Sequence, residues 1–297
     1  MGRRIRAHRE HYQAAALLAP FLVFYGTFLL YPFCKGIWMS LHDWPLLGKP
    51  GTEPVFVGIR NYADLVTDTV FWTSLLHTAE FTFMAVPLIT ATGLALALGL
   101  REARGSSAAM RAIFFSSGVF SVTVVTLIWL TVLHPVRGLL GQAFSAMGWS
   151  SIDVLADRRF AMPALVLTTL WWSIGLPMAL FLAGLQHIHP ALYEAAALDH
   201  ASRWTMFRRI TWPGLRRTTW LVIFIEAVMH FQVFGQALLM TRGGPANSTR
   251  VLVQYVYESS FRDWRVGYAS AAAMVLFTVL ITVSLLQFRI LRQEDEG

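Results

Sequence analysis

Cysteine is nearly absent: Cys34 is the only one in 297 residues, so no disulfide within the chain can staple the fold. It lies in an apolar segment and reads as a packed small residue. Charge is scarce too. Asp, Glu, Lys and Arg make up 14% of the chain, against about 25% in soluble domains, which excludes water as the main solvent. Lysine is confined to Lys35 and Lys49, so arginine carries most of the net charge of +7. No G-x-x-x-x-G-K-[ST] phosphate loop occurs, so the chain has no means of hydrolysing ATP by that route. The arginines are scattered between apolar stretches and form no continuous basic patch. That excludes a nucleic-acid footprint and reads as membrane topology.

What is present is apolar length. Hydrophobic residues are 56% of the chain and mean hydropathy is +0.53. A helix needs roughly 20 apolar residues to cross a bilayer, and six runs qualify: about 13–41, 72–100, 113–134, 161–187, 217–240 and 266–290. Helices are the default because backbone exposed to lipid must satisfy its own hydrogen bonds. Pro20, Pro32, Pro87 and Pro177 fall inside these runs, which neighbouring helices can accommodate. The first run is much longer than the roughly 7–15 apolar residues of a cleaved signal and is read as a retained span. The expectation is an all-α integral membrane protein in which residues 1–297 form a single transmembrane domain.

With the N-terminus inside, the segments on that side hold fourteen Lys and Arg residues and the outside loops hold nine. The bias places both termini in the cytoplasm. One inside segment, 188–216, is too long and too patterned to be a bare linker. Pro190 suits a first helical turn, ALYEAAALD is rich in helix formers, and Asp199–His200 interrupts it. Phe207 and Ile210 share a face at i,i+3 spacing, and Pro213–Gly214 is expected to end the element. The residues alone leave two readings open. The segment is either a docking element with a small-residue face at Ala195 and Ala196, or an interfacial helix with arginines reaching lipid headgroups.

This segment resembles the EAA loop of ABC importer permeases, roughly E-A-A-x-x-D-G-A followed by F-x-x-I-x-L-P. The matching residues are Glu194, Ala195, Ala196, Asp199, Ala201, Phe207, Ile210 and Pro213, with His200 at the family's turn glycine and Trp212 at its leucine. The stretches 57–78, 240–249 (MTRGGPANST) and 267–277 are similar to the carbohydrate-uptake type, specifically the maltose- or glycerol-phosphate-type first permease of a heterodimeric pair. Two departures are Arg242 at a glycine and Gly235 at an aspartate. The resemblance implies an alternating-access permease of a bacterial inner membrane, with the loop lying between spans four and five and seated on an ATPase. It also implies a second homologous permease, two ATPase subunits and an extracytoplasmic solute-binding protein as partners. ATP and Mg would be bound by the ATPases and no cofactor by this chain.

Polar residues inside a bilayer are costly and therefore candidates for function. Glu80, Glu226, His230, Gln232 and Gln236 qualify, with Trp171 and Trp172. The resemblance directs solute contacts to Trp172, Gly175 and Met178 on span four and to His230, Gln232 and Gln236 on span five. Glu226 is expected to face a watery or protein-lined interior, and its depth differs from that of Glu80 by about 10 Å, too far for a direct pair. Lys35 is expected to snorkel. The rival functions are a membrane enzyme and a secondary transporter. His187, His189 and His200 are the best metal cluster on offer, but no carboxylate or cysteine accompanies them at recognisable spacing.

Overall fold

The computed structural model describes residues 17–44, 53–101 and 105–295. The start of the first expected span and Arg3, Arg4, Arg6, Arg9, Lys49 and Arg104 lie outside the described residues. The chain is mostly helical and divides into two compact units.

One unit takes the chain up to Asp68 together with Val256–Phe277. Its first helix, α1 (Leu17–Ser40), contains a wide π turn at Gly26–Leu30. A short hairpin follows, the one departure here from an all-α reading: β1 (His42–Asp43) pairs antiparallel with β2 (Val55–Phe56). The junction is pinned by α2 (Arg60–Thr67). The Asn61 amide donates to the carbonyls of Ser40 at 2.9 Å and His42 at 3.0 Å, and Ser40 Oγ shares a 2.7 Å hydrogen bond with the Tyr62 hydroxyl. Tyr268 donates to the Asp68 carboxylate at 2.6 Å, with the Arg265 guanidinium over its ring. Cys34 is exposed, correcting its reading as packed, because no residue in the apolar window of α1 is buried. Lys35 Nζ lies 5.5 Å from the centre of the Trp44 ring, within the reach of a weak cation–π contact.

The other unit, Thr69–Tyr255 with the chain from Thr278, is built on α3 (Thr69–Gly99). It adds α4 (Gly105–Ser116), α5 (Val122–Val132), α6 (Leu139–Ala146), α7 (Ala161–Ser173), α8 (Gly175–Gln186), α9 (Pro190–Leu198), α10 (Arg203–Met206) and α11 (Trp212–His230). Two later helices, α12 (Leu252–Phe261) and α13 (Val266–Asp295), run from one unit into the other. Helix α3 packs against α7, α8 and α11. One buried cluster gathers Phe81, Ile89, Leu165, Val233 and Ala237; a second gathers Ala97, Met178, Phe181, Leu215 and Val222.

Among the described residues, Leu17–Ser40, Thr69–Gly99 and Val266–Arg289 are long and apolar enough to cross a membrane, and two bent helix pairs bring the number to five. Three expected spans are therefore redrawn. The run at 113–134 is not one helix: α4 begins at Gly105, and the chain turns through 107° between Val119 and Val122. Ser116, Ser117 and Gly118 are weak helix formers, and Ser121 starts afresh by capping Val124 N–H. The run at 161–187 bends by 51° at Ile174, where Pro177 has no N–H to offer the Ser173 carbonyl. The run at 217–240 begins earlier and stops at His230, followed by a turn and a π segment at Ala237–Thr241. It carries Arg216, Arg217 and Glu226.

Pro213 and Gly214 do not end the preceding element. Helical backbone continues from α10 through a π turn at Phe207–Thr211 into α11. Proline removes one i→i−4 bond and crowds the carbonyl four residues back. That carbonyl, Arg209, lies within the π turn, which widens the helix where the ring must fit. The same pairing recurs in α1, where Pro32 follows the π turn at Gly26–Leu30.

Candidate functional site

A cavity of about 660 Å³ opens within the second unit. Its wall brings together six of the residues chosen from sequence: Trp172, Gly175, Glu226, His230, Gln232 and Gln236. Met178 is not among them; it is 1% exposed and packed in the second buried cluster. Along α7 and α8 the cavity residues fall between Leu165 of the first cluster and Met178 of the second. Along α11 and beyond they fall between Val222 of the second and Ala237 of the first. The cavity thus occupies the middle of the unit, flanked by packed apolar layers.

The breaks in the helices make this space. Trp172 Nε1 donates to the Phe120 carbonyl at 3.0 Å, and Ser117 Oγ donates to Phe114 O at 2.8 Å and lies 3.1 Å from Trp172 O. These bonds satisfy carbonyls left free where α4 gives way to α5 and where α7 gives way to α8. A Cβ on Gly175 would sit 2.7 Å from both Phe114 O and Phe115 Cα. Only glycine lets α8 approach the backbone of α4 so closely. At Gly235 a Cβ would meet Val122 Cγ2 at 2.6 Å, which accounts for glycine where the resemblance would place aspartate.

The wall also includes Phe115, Gly118, Val119 and Val122, none of which sequence reasoning selected. Its one available signal was the Ser116–Gly118 interruption. Trp171, also considered, stacks against Phe120 instead, with ring centroids 6.4 Å apart.

Glu226 is 1% exposed and His230 5%. Their Oε2 and Nε2 atoms lie 3.2 Å apart, one helical turn from each other. The approach is close enough for an ion pair, but the geometry is not that of a hydrogen bond, and neither atom has another hydrogen-bond partner. Glu226 therefore faces a protein-lined interior, as expected. Glu80 is exposed on α3 and makes no pair with it.

The other candidate region is the segment 188–216. Pro190 takes the first turn of α9, and His189 caps it by accepting Ala191 N–H at 3.2 Å. No residue of α9 is buried. Glu194 and Ala195 are exposed, Ala196 is half-buried, and Leu198 is 82% exposed. Tyr193 ties the helix down: its hydroxyl lies 2.9 Å from Thr211 Oγ1, and the Arg101 guanidinium stacks 4.4 Å from its ring centre. Ile210 packs on the second cluster, whereas the Phe207 ring neighbours Trp204 and Trp212.

Helix α9 ends in a Schellman motif. Ala201 N–H reaches Ala196 O at 2.9 Å, His200 N–H reaches Ala197 O at 3.1 Å, and Asp199 occupies the cap. His200 adopts φ +54° and Arg242 φ +51°, so both positions where the sequence departs from a glycine keep left-handed backbone. A side chain there costs about 1–2 kcal/mol. His200→Gly is therefore expected to raise the thermal midpoint, by an amount equivalent to about 1 kcal/mol. An unchanged or lower midpoint would show that the imidazole contributes more than the strain it imposes.

Comparisons with known proteins agree with this architecture. The family model described as "Binding-protein-dependent transport system inner membrane component" matches residues 67–294. The chain is 31% identical over 283 residues to a probable ABC transporter permease protein, YurN, of Bacillus subtilis, covering 94% of this chain and 96% of that protein. It is also 31% identical to the diacetylchitobiose uptake system permease protein NgcF of Streptomyces coelicolor, over 99% of this chain and 86% of that one. Among solved structures, a bacterial ABC transporter involved in the import of the acidic polysaccharide alginate matches with a TM-score of 0.85. That match is at 22% identity and covers 98% of this chain and 99% of the other. The chain belongs to the family of binding-protein-dependent transport system inner membrane components and is the membrane subunit of such an importer.

Proposed function

We propose that this chain forms half of the translocation pathway for a sugar or sugar-like solute, driven by ATP hydrolysis on separate subunits. The observation that carries the reading is α9: a helix that buries none of its own residues, yet presents Ala195 and Leu198 at its surface. A helix that rests on the core through Tyr193 and leaves most of its side chains uncovered is placed for an external partner, and a separate ATPase fits that place. A secondary transporter or membrane enzyme would leave α9 without a use. The names of relatives support the solute class, since they include starch degradation products, diacetylchitobiose and multiple sugars.

In this proposal residues 1–297 act as one permease domain with six spans. The broken segment from α11 through Thr241 supplies the sixth, beyond the five that length and composition give. Both termini and α9 lie on the cytoplasmic side of a bacterial inner membrane. A second homologous permease completes the pathway, two ATPases bind ATP and Mg, and a solute-binding protein delivers cargo. The binding protein has a parallel in the alginate transporter, which is known in complex with its pentasaccharide-bound periplasmic protein. Closure of the ATPase dimer moves Glu194 and its neighbours, and the spans reorient from inward- to outward-facing.

The test is saccharide uptake into proteoliposomes holding the assembled importer, with and without ATP and with an ATPase-inactive control. Uptake should require hydrolysis. Accumulation that persists with the inactive ATPase would instead identify a secondary transporter.

A further inference from the structure

The cavity wall contains no lysine or arginine. Its only charge-bearing side chains are Glu226 and His230. On the helix that holds Glu226 the nearest guanidinium is Arg217, nine residues away, or about 13 Å along the axis. We propose that this wall selects uncharged saccharides and rejects acidic ones, with Glu226 as the residue that sets the discrimination. The inference rests on the cavity being the solute pathway.

A uronate or phosphate group entering here would meet a carboxylate and no lysine or arginine, in surroundings that screen charge far less than water does. A neutral saccharide meets complementary chemistry. Trp172 has committed its indole N–H to Phe120 O, which leaves the ring as an apolar surface for the C–H face of a sugar. Glu226 Oε2 and His230 Nε2 have no hydrogen-bond partner although they lie in the wall. Both atoms are buried, so they act on an entering group through their field and not by direct contact. Gln232 and Gln236 add neutral amides on the same wall.

The assembled importer, purified without its binding protein, would be titrated with maltotriose and with trigalacturonate by equilibrium dialysis of the labelled sugars. Maltotriose should bind at least about tenfold more tightly than the trianion. Glu226→Gln, which preserves size, should narrow that ratio, and Gln232→Arg should admit trigalacturonate; size-exclusion profiles would establish that both variants assemble. Equal binding of the two sugars by the unaltered importer, with Trp172→Ala weakening both, would overturn charge selection and leave the cavity as the pathway. The same holds if trigalacturonate binds more tightly. If neither sugar binds, or if Trp172→Ala and Glu226→Gln leave both affinities unchanged, the cavity itself is not the pathway and both readings fail.

Discussion

Gly175→Val should prevent the membrane unit from folding as described. A Cβ at this position would stand 2.7 Å from Phe114 O and from Phe115 Cα. Both obstacles are backbone, so no flexible side chain can swing aside, and the two added methyls enlarge the clash. Overpacking costs about 1–3 kcal/mol where neighbours can shift; here the cost belongs at or above the top of that range. Membrane helices draw little from hydrophobic burial against one another and depend on close packing through small residues, which sharpens the effect. The expected result is a sharp loss of folded protein after extraction, and in any surviving fraction a thermal midpoint lower by roughly 5–10 °C. Gly26→Ala is the control: nothing lies within 4 Å of its added carbon, and the exchange should be neutral or slightly stabilising. If both variants behaved alike, the close approach of α8 to α4 would not be a determinant of the fold.

Glu194→Lys should have the opposite signature, leaving the fold intact and stopping transport. Because α9 buries none of its residues, the exchange disturbs no core, and the Tyr193 anchor to Thr211 and Arg101 is untouched. At a docked interface, reversing a central charge costs about 2–4 kcal/mol, equivalent to roughly 30- to 1000-fold in affinity. ATP-driven uptake should fall by about that factor while the thermal midpoint of the isolated chain stays within about 1 °C of the original. Uptake that continues at the original rate would remove α9 from the coupling pathway.

The parts of this molecule most legible from sequence are those set by local chemistry. Pro190 and the alanine-rich run after it give a helix with the expected start, and Asp199–His200 ends it. Glu226, His230 and the two glutamines could be chosen because a polar group in a bilayer needs a reason to be there, and all four line one cavity. Met178 misleads for a geometric reason. It lies one turn beyond Ile174 on what reads as a straight helix, but the 51° bend there turns α8 so that Met178 packs into the second cluster. Hydropathy sums over a window and is blind to direction, so the apolar run at 113–134 gives no sign of its 107° turn. The residues of that turn which complete the wall, Val119 and Val122 among them, look like ordinary lipid-facing positions in the sequence. Pro213 misleads in another way: proline stops a regular α-helix, but a π turn one step earlier lets the helix continue.

That continuity joins the second half of the exposed loop to the cavity wall. From Arg203 to His230 helical backbone continues through the π turn, so the stretch beside the exposed elbow and the buried carboxylate of Glu226 belong to one helical member about 42 Å long. If α9 is seated on an ATPase as proposed, a displacement there would pass through the turn at Asp199–Ser202 and then along this member to the cavity wall. Lengthening or shortening this member by one residue would turn its far end by about 100°.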